Sequence, residues 1–214
     1  MNKGDIVLVS FTGKEVDSNR VFDTTDEKTA KESGLIRENH VYRPIPVVVG
    51  NGELILGLEK ALLEMNEGEE KQLEIEPVNA FGERRKDMVM VVALQEFRKQ
   101  KINPVQGLIV EINGHYGKVQ TISGGRVRVD FNSELAGKKV EYSLKVEKHV
   151  TDQKEQVEVF VQKFFPFKDK KAKTKITGEE LEVILPGGLR GEIDILKNAF
   201  AKVVTESVKG IEKV

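Results

Sequence analysis

The residues that most often perform catalysis are few and scattered in this chain. It contains no cysteine, which excludes a thiolate nucleophile, a disulfide framework and a cysteine-based zinc site. His40, His115 and His149 have no second histidine or carboxylate at metal-ligand spacing, so we expect surface or loop positions for them. A Ser/His/Asp triad stays open from composition alone, although no GxSxG nucleophile elbow is present. We therefore expect neither a metal nor a cofactor.

Phosphate binding, nucleic-acid binding and membrane association are also disfavoured. The segment from Gly50 to Gly57 is rich in glycine, but it lacks the Lys-Ser/Thr pair of a phosphate loop. The 34 basic and 35 acidic residues nearly balance, so no overall field favours nucleic acid or an anionic membrane. The first apolar run, Ile6 to Phe11, is too short for a signal peptide or a membrane span. We expect a strand there and a cytoplasmic location.

Several short elements predict a mostly antiparallel sheet with one helix packed against it. The first strand is β-branched and ends at Thr12-Gly13. Leu58, Leu62 and Met65 form one apolar stripe, which predicts a short helix. The clearest strand alternation comes much later, where we expect one face to hold Val140, Tyr142, Leu144 and Val146. Other predicted strands lie at Val21–Asp23, Ile45–Val49 and Lys71–Glu76.

The sheet is interrupted by a β-rich stretch and followed by a region of different character. Strand candidates at 108–112, 117–122 and 125–131 predict a separate unit, and the sheet resumes after it. The last region carries an amphipathic helix from Val157 to Phe165 and a second from about Arg190 to Glu206. We therefore predict three domains: residues 1–83 with 130–150, residues 84–129 as an insertion, and residues 151–214.

Five motifs together resemble the signature of the FKBP-type peptidyl-prolyl isomerases. In order they are VSFTG from Val9, VFDTT from Val21, VVVGNGELILGLEKALLEMNEGE from Val47, PVNAFGE from Pro77 and VDFNSELAGKKVEYSLKV from Val129. The chain is similar to the SlyD-like subgroup, which carries a domain inserted in the flap, and to the long archaeal FKBP-type proteins. The resemblance implies an α+β fold: an FKBP-like antiparallel half-barrel sheet wrapped on one helix, with a β-rich inserted domain and a small C-terminal α+β domain.

The resemblance also assigns a prolyl pocket. It implies aromatic walls, a carboxylate at the edge, an apolar pair whose second member offers its backbone N–H to substrate, and a leucine floor. In this sequence the matching residues are Phe11, Phe22, Asp23, Ile45, Leu54, Ile55, Leu58, Phe81 and Tyr142. For Asp23, the alternative is a turn cap formed with Thr24 and Thr25. For the aromatic residues, the alternative is an ordinary core.

Two positions depart from the family pattern. Phe81 stands where the family usually has a tyrosine that donates a hydrogen bond to a substrate carbonyl. Ser133-Glu134 replaces the His-Pro pair that often precedes the LAG sequence. A lost hydrogen bond is worth about 0.5–1.5 kcal/mol, which predicts activity weakened about three- to tenfold.

The resemblance implies partners as well as a reaction. The expected partners are unfolded or proline-containing polypeptides, which the insert captures and passes to the pocket. Met88, Met90, Val91, Val92, Leu94 and Phe97 either bind such chains or fill the insert's own core. Two other functions stay open: a non-catalytic peptide-binding chaperone, and an assembly module in which residues 151–214 form a homodimer.

Overall fold

The computed structural model describes residues 1–38, 40–166, 172–186 and 193–214, with the side chain of Ile193 left out. The predicted start of the last helix at Arg190 lies outside these residues. The elements, in chain order, are β1 (Ile6–Glu15), β2 (Val21–Thr24), α1 (Glu27–Glu32), β3 (Ile45–Val48), α2 (Leu56–Glu64), β4 (Glu70–Ile75), β5 (Val89–Ala93), α3 (Leu94–Lys99), β6 (Ile109–Ile112), β7 (His115–Ser123), β8 (Arg126–Asp130), β9 (Val140–His149), α4 (Gln153–Phe164), β10 (Lys173–Thr177), β11 (Glu180–Ile184) and α5 (Ile193–Ser207).

The chain forms two compact units, Met1–Ile75 with Val140–Val214, and Glu76–Lys139. We call them the first unit and the second unit. The three-domain division stays a prediction. Among the described helices, none has both the length and the apolar character that crossing a bilayer requires.

The first unit is built on an antiparallel sheet in the order β2-β1-β9-β4, in which β3 also pairs with β1. The α+β class with a half-barrel antiparallel sheet is therefore confirmed. The predicted end of the first strand at Thr12-Gly13 is wrong, because the strand continues to Glu15. Its last residues stay extended because Lys14 pairs with Val21 on one side and Glu15 pairs with Val140 on the other.

The apolar face of this sheet is the one that the sequence predicts. Val140, Tyr142, Leu144 and Val146 are all buried on β9, and the helix stripe of Leu58, Leu62 and Met65 is buried too. Gly57 fits against β4, because a Cβ at this position would lie 2.5 Å from Ile75 Cγ2. The absence of a side chain therefore allows the first turn of α2 to approach the sheet closely.

The C-terminal segment of the first unit shares a core with the sheet. Ile6, Val48 and Val150 belong to the same buried cluster as Phe160 of α4 and Phe200 of α5. The hairpin β10–β11 also contributes to this cluster through Leu181. The helices after Val150 are therefore fixed to the strands by apolar packing.

The second unit is a four-stranded antiparallel sheet in the order β5-β8-β7-β6. Three of these strands lie where the sequence predicts them, whereas β5 was not predicted as a strand. Phe97, Val110, Val119, Val127 and Val129 form the buried core of the unit. A Cβ on Gly117 would lie 2.6 Å from Val129 Cγ1, so glycine allows the backbone of β7 to pack closely against the Val129 side chain of β8.

Candidate functional site

Three aromatic rings meet on the sheet of the first unit. Phe11 lies on β1, Phe22 on β2 and Tyr142 on β9. The ring centroid of Tyr142 is 5.9 Å from that of Phe11 and 5.7 Å from that of Phe22, both in edge-to-face orientation. Tyr142 is buried, while Phe11 and Phe22 are partly exposed. The arrangement is an apolar wall whose outer rings still face solvent, which suits a small apolar ring as ligand.

Gly13 makes room for this aromatic wall. It pairs with Asp23 of β2 and Tyr142 of β9. A Cβ at this position would lie 2.8 Å from Phe22 Cζ and 2.8 Å from two ring atoms of Tyr142. Real Cβ contacts are not this short, so any side chain here would push the rings away from the strand. This role of Gly13 was not predicted, although a glycine inside a strand is a recognised signal of close approach.

Thr24, the last residue of β2, and Thr25, which follows it, both bond to β1. The Phe11 N–H donates to Thr25 Oγ1 at 2.9 Å, and the Thr25 N–H donates to the Phe11 carbonyl at 2.9 Å. Thr24 Oγ1 lies 2.7 Å from Thr12 Oγ1 and accepts from the Asp26 N–H at 3.1 Å. The hydroxyl of Thr24 therefore caps this turn, and the threonines tie β2 to β1 beside the wall.

Asp23 is exposed at the edge of the wall. Burial raises the pKa of the Tyr142 hydroxyl above its ordinary value of 10.0, and the negative charge of Asp23 raises it further. Tyr142 is therefore neutral throughout the physiological pH range, and its hydroxyl keeps a proton to donate. The carboxylate of Asp23 and the phenol of Tyr142 therefore interact electrostatically.

A loop held by a buried carboxylate presents the predicted apolar pair, Leu54 and Ile55. Glu59 lies in the first turn of α2 and is only 7% exposed. Its Oε2 accepts from the Gly50 N–H at 2.7 Å, and its Oε1 accepts from the Leu54 N–H at 3.1 Å. A carboxylate that satisfies two backbone donors fixes both ends of the loop relative to the helix. Glu59 was not among the predicted site residues.

The remaining predicted positions divide between the two units. Leu58 is buried on α2, and Ile45 is partly exposed at the start of β3. Ile55 precedes α2, and its carbonyl accepts from the N–H groups of Leu58 and Glu59. Phe81 belongs to the second unit and follows the short helical turn Pro77–Asn79, so its place in the prolyl pocket stays a prediction.

The second unit divides its apolar residues between core and surface. Phe97 is buried, and Val92 and Leu94 pack against the same core. Met90 and Val91 of β5 are instead 47% and 63% exposed. The core interpretation therefore holds for Phe97, Val92 and Leu94, whereas binding of unfolded chains by the exposed members stays a prediction. Tyr116 and Ile109 are also exposed, beside a groove of about 710 Å³ within the same unit.

The described residues contain no group of three or more histidine, aspartate or glutamate side chains that could hold a metal ion. The site itself is an apolar, partly open aromatic wall with one carboxylate at its edge. Such a surface can bind a ring and exclude water.

Comparison with known proteins shows what this chain is similar to. Residues 90–135 match the family model described as FKBP26, IF domain. A short-type peptidyl-prolyl cis-trans isomerase of Methanocaldococcus jannaschii is 36% identical over 146 residues, which cover 68% of this chain and 92% of that protein. The FKBP-type 16 kDa peptidyl-prolyl cis-trans isomerase of Escherichia coli is 30% identical over 145 residues, with 65% and 87% covered. The isomerase SlyD of Treponema pallidum is 32% identical over 117 residues, with 52% and 65% covered.

These relatives confirm the resemblance that the five sequence motifs carry. The high coverage of the first two proteins shows that the likeness extends over nearly their whole length. The chain belongs to the FKBP-type peptidyl-prolyl cis-trans isomerases.

Proposed function

We propose that the aromatic wall, together with the loop that Glu59 holds, is the prolyl pocket of this isomerase. The residues of the proposal are those assigned by the resemblance: Phe11, Phe22, Asp23, Ile45, Leu54, Ile55, Leu58, Phe81 and Tyr142. The observation that carries it is the meeting of three rings from three strands around a glycine, with two of the rings open to solvent. An ordinary core would bury all three.

The reaction that fits this pocket is rotation about the amide bond that precedes proline. This bond rotates over a barrier of about 18–20 kcal/mol because the twisted state loses amide resonance. No bond to a heavy atom breaks, so the reaction requires neither a nucleophile nor a general base. A pocket that binds the twisted form better than the planar form by about 5 kcal/mol would accelerate rotation by nearly four decades.

The apolar wall favours the twisted form through the polarity of the amide. The planar amide is more polar and better hydrated, so excluding water from it raises its energy relative to the twisted form. Asp23 contributes a negative charge at the edge of the wall, near the carbonyl carbon of a bound substrate. Burial, and to a smaller extent the charge of Asp23, raise the pKa of Tyr142, so the phenol is neutral and the wall is uncharged.

The assay that tests this proposal is protease-coupled cleavage of an X-Pro peptide. We expect a clear acceleration over the spontaneous rate, and a large loss in Phe22→Ala, which removes one ring of the wall. The matched control is Tyr116→Ala, an exposed aromatic residue of the second unit that is outside the proposed pocket. A wild-type rate equal to the spontaneous one would instead support a non-catalytic peptide-binding chaperone.

Phe81 provides a second test of the pocket. If this side chain lies where the family has its donor hydroxyl, Phe81→Tyr should raise kcat/KM about three- to tenfold, because one hydrogen bond to substrate is gained. Unchanged activity in this variant, alongside loss of activity in the Phe22 variant, would remove Phe81 from the pocket and leave the rest of the proposal intact.

We further propose that the second unit binds unfolded chains and delivers them to the pocket. The exposed Met90 and Val91 on β5, an edge strand of this sheet, support this. An edge strand offers unpaired backbone groups and an apolar surface to an extended peptide. Methionine adapts to many partner shapes, which suits unrelated clients.

Val91→Glu tests this role with little risk to the fold. Val91 is opposite Arg128 in the strand pair, so the introduced carboxylate faces a positive charge. We expect catalysed refolding of a proline-limited protein to slow while turnover of a short peptide is unchanged. Leu63→Glu, an exposed leucine of the first unit, is the control. Equal losses on both substrates would contradict the division of labour.

A homodimer through the C-terminal segment is a second candidate role. Ile184, Ile195, Leu196 and Val214 are exposed apolar residues of this segment, which favours an interface there. Sedimentation at high concentration tests it, and a monomer alone would count strongly against it. The cytoplasmic location predicted from the sequence stays a prediction that cell fractionation can test.

A further inference from the structure

The last turn of α4 is bonded to two backbone segments of the proposed pocket. One carries Ile45 and the other carries Leu54 and Ile55, and we call these three residues the apolar rim. Lys163 Nζ lies 2.6 Å from Glu53 Oε2 and donates to the Pro46 carbonyl at 3.0 Å. Arg43 bonds to the same turn: its Nη1 donates to Gln162 Oε1 at 3.0 Å and its Nη2 to the Gln162 carbonyl at 2.7 Å. Four hydrogen bonds thus join one helix end to two separate segments: Arg43 with the start of β3, and the loop before α2.

Each bonded position is adjacent or nearly adjacent to a proposed substrate-binding residue. Pro46 directly follows Ile45, and Arg43 comes two residues before it. Glu53 directly precedes Leu54 and Ile55. A displacement of α4 would therefore move both sides of the apolar rim together.

The cluster is more protected from water than the surface ion pairs on the same helix. The side chains of Lys163 and Glu53 are 30% and 19% exposed, whereas those of Lys154 and Glu158 are 73% and 49% exposed. Partial burial strengthens an ion pair, and a pair that also binds a carbonyl has a defined geometry. The Lys163 cluster is therefore a structural link, whereas the Lys154 pair is an ordinary solvated one.

The helix that carries this link is itself immobilised. Phe160, two residues before Gln162 and three before Lys163, is fully buried in the same apolar cluster as Val48 of β3. A side chain anchored on packed core transmits position to its partner, because interiors are close-packed and resist deformation. The last turn of α4 is thus fixed relative to the core, and it can hold the two bonded segments in place.

We propose that Lys163 is a positioning residue for the prolyl pocket: it holds the Ile45 and Leu54 segments at the separation that substrate binding requires. The C-terminal segment is then part of the isomerase site, although it does not touch substrate. This inference rests on the pocket assigned under the proposed function.

The test is Lys163→Met, which keeps an unbranched apolar side chain only one heavy atom shorter but removes the charge and the donors. We expect KM and the dissociation constant of an X-Pro peptide to rise about three- to tenfold, since the link comprises hydrogen bonds to charged and carbonyl groups. We expect kcat to stay near the wild-type value, because the aromatic wall is unchanged. Lys163→Arg should restore much of the loss, and Lys154→Met should have no effect.

A double-mutant cycle separates positioning from general destabilisation. If Glu53 acts through Lys163, Glu53→Gln alone should raise KM in the same way, and the two changes together should cost little more than one. A KM in Lys163→Met equal to the wild-type value would overturn the inference, and so would a fall in kcat alone. If the wild type failed to catalyse rotation, the proposed function would fail, whereas the peptide dissociation constants of the same variants would still decide this inference.

Discussion

The buried carboxylate of Glu59 supports a quantitative prediction about the loop at the rim of the proposed pocket. Glu59→Ala removes the acceptor of two backbone donors, the N–H groups of Gly50 and Leu54, at 2.7 and 3.1 Å. A buried donor left without its partner costs about 1–3 kcal/mol. Because both donors are only partly buried, water can replace some of the lost bonding. We therefore expect the free energy of unfolding to fall by about 2–4 kcal/mol.

The size of this effect should depend on the acceptor that remains. Glu59→Gln keeps one oxygen and presents an amide N–H₂ to the other donor, so it should retain one bond and lose about half as much stability. Glu64→Ala, at an exposed position of the same helix, should stay within about 0.5 kcal/mol of wild type. Urea unfolding followed by far-ultraviolet circular dichroism measures all three variants, with unchanged slope as the sign of an intact two-state transition.

The same variants report on the proposed site. The loop presents Leu54 and Ile55, so Glu59→Ala should also lower kcat/KM under conditions where the variant is still folded. A free energy of unfolding within 0.5 kcal/mol of wild type would refute the structural role assigned to this carboxylate. A destabilised but fully active variant would show instead that the loop is not part of the substrate-binding rim.

Three further predictions concern the aromatic wall. Gly13→Ala should lower stability by about 1–3 kcal/mol and reduce kcat/KM, because its Cβ would lie 2.8 Å from the rings of Phe22 and Tyr142; unchanged values for both would contradict the close packing. Thr25→Val should raise KM and cost about 1 kcal/mol in urea unfolding, since the Phe11 N–H loses its hydroxyl acceptor; no change in either would contradict this role. The pKa of Tyr142 is raised in the folded state, so above the unfolded-state pKa of 10.0 the unfolded chain loses this proton first and the free energy of unfolding falls. Wild type should therefore lose stability above pH 10.0 faster than Tyr142→Phe. Parallel plots of unfolding free energy against pH for the two proteins would contradict this.

The parts of the fold that follow from local patterns could be predicted from the sequence. The period-two alternation of β9 identifies its buried face, and the Leu58, Leu62 and Met65 stripe identifies the packed face of α2. The resemblance supplies the aromatic positions, and the structure brings Phe11, Phe22 and Tyr142 together. These signals are carried by residue type and spacing within one element.

The features that were missed depend mainly on partners outside the element that carries the residue. Gly13 matters because of rings contributed by β2 and β9, and nothing in VSFTG specifies those neighbours. Glu59 appears in the sequence as one more charged residue of an acidic helix, yet it is buried because its acceptors match two loop donors. Strand β5 was missed because Met90 and Val91 belong to an apolar run without a clear period.

A catalyst of bond rotation has an unusual dependence on residues that never touch its substrate. A pocket that adapts its walls would bind the planar and the twisted amide equally well, and equal binding gives no acceleration. The rate advantage therefore requires rings and loops held at fixed separations. In this chain, other residues position each part of the proposed pocket. Thr25 bonds to the backbone of Phe11, Gly13 leaves space for the rings of Phe22 and Tyr142, and Glu59 bonds to the Leu54 loop. Substitutions at these supporting positions should consequently reduce catalysis even though the wall residues themselves are intact.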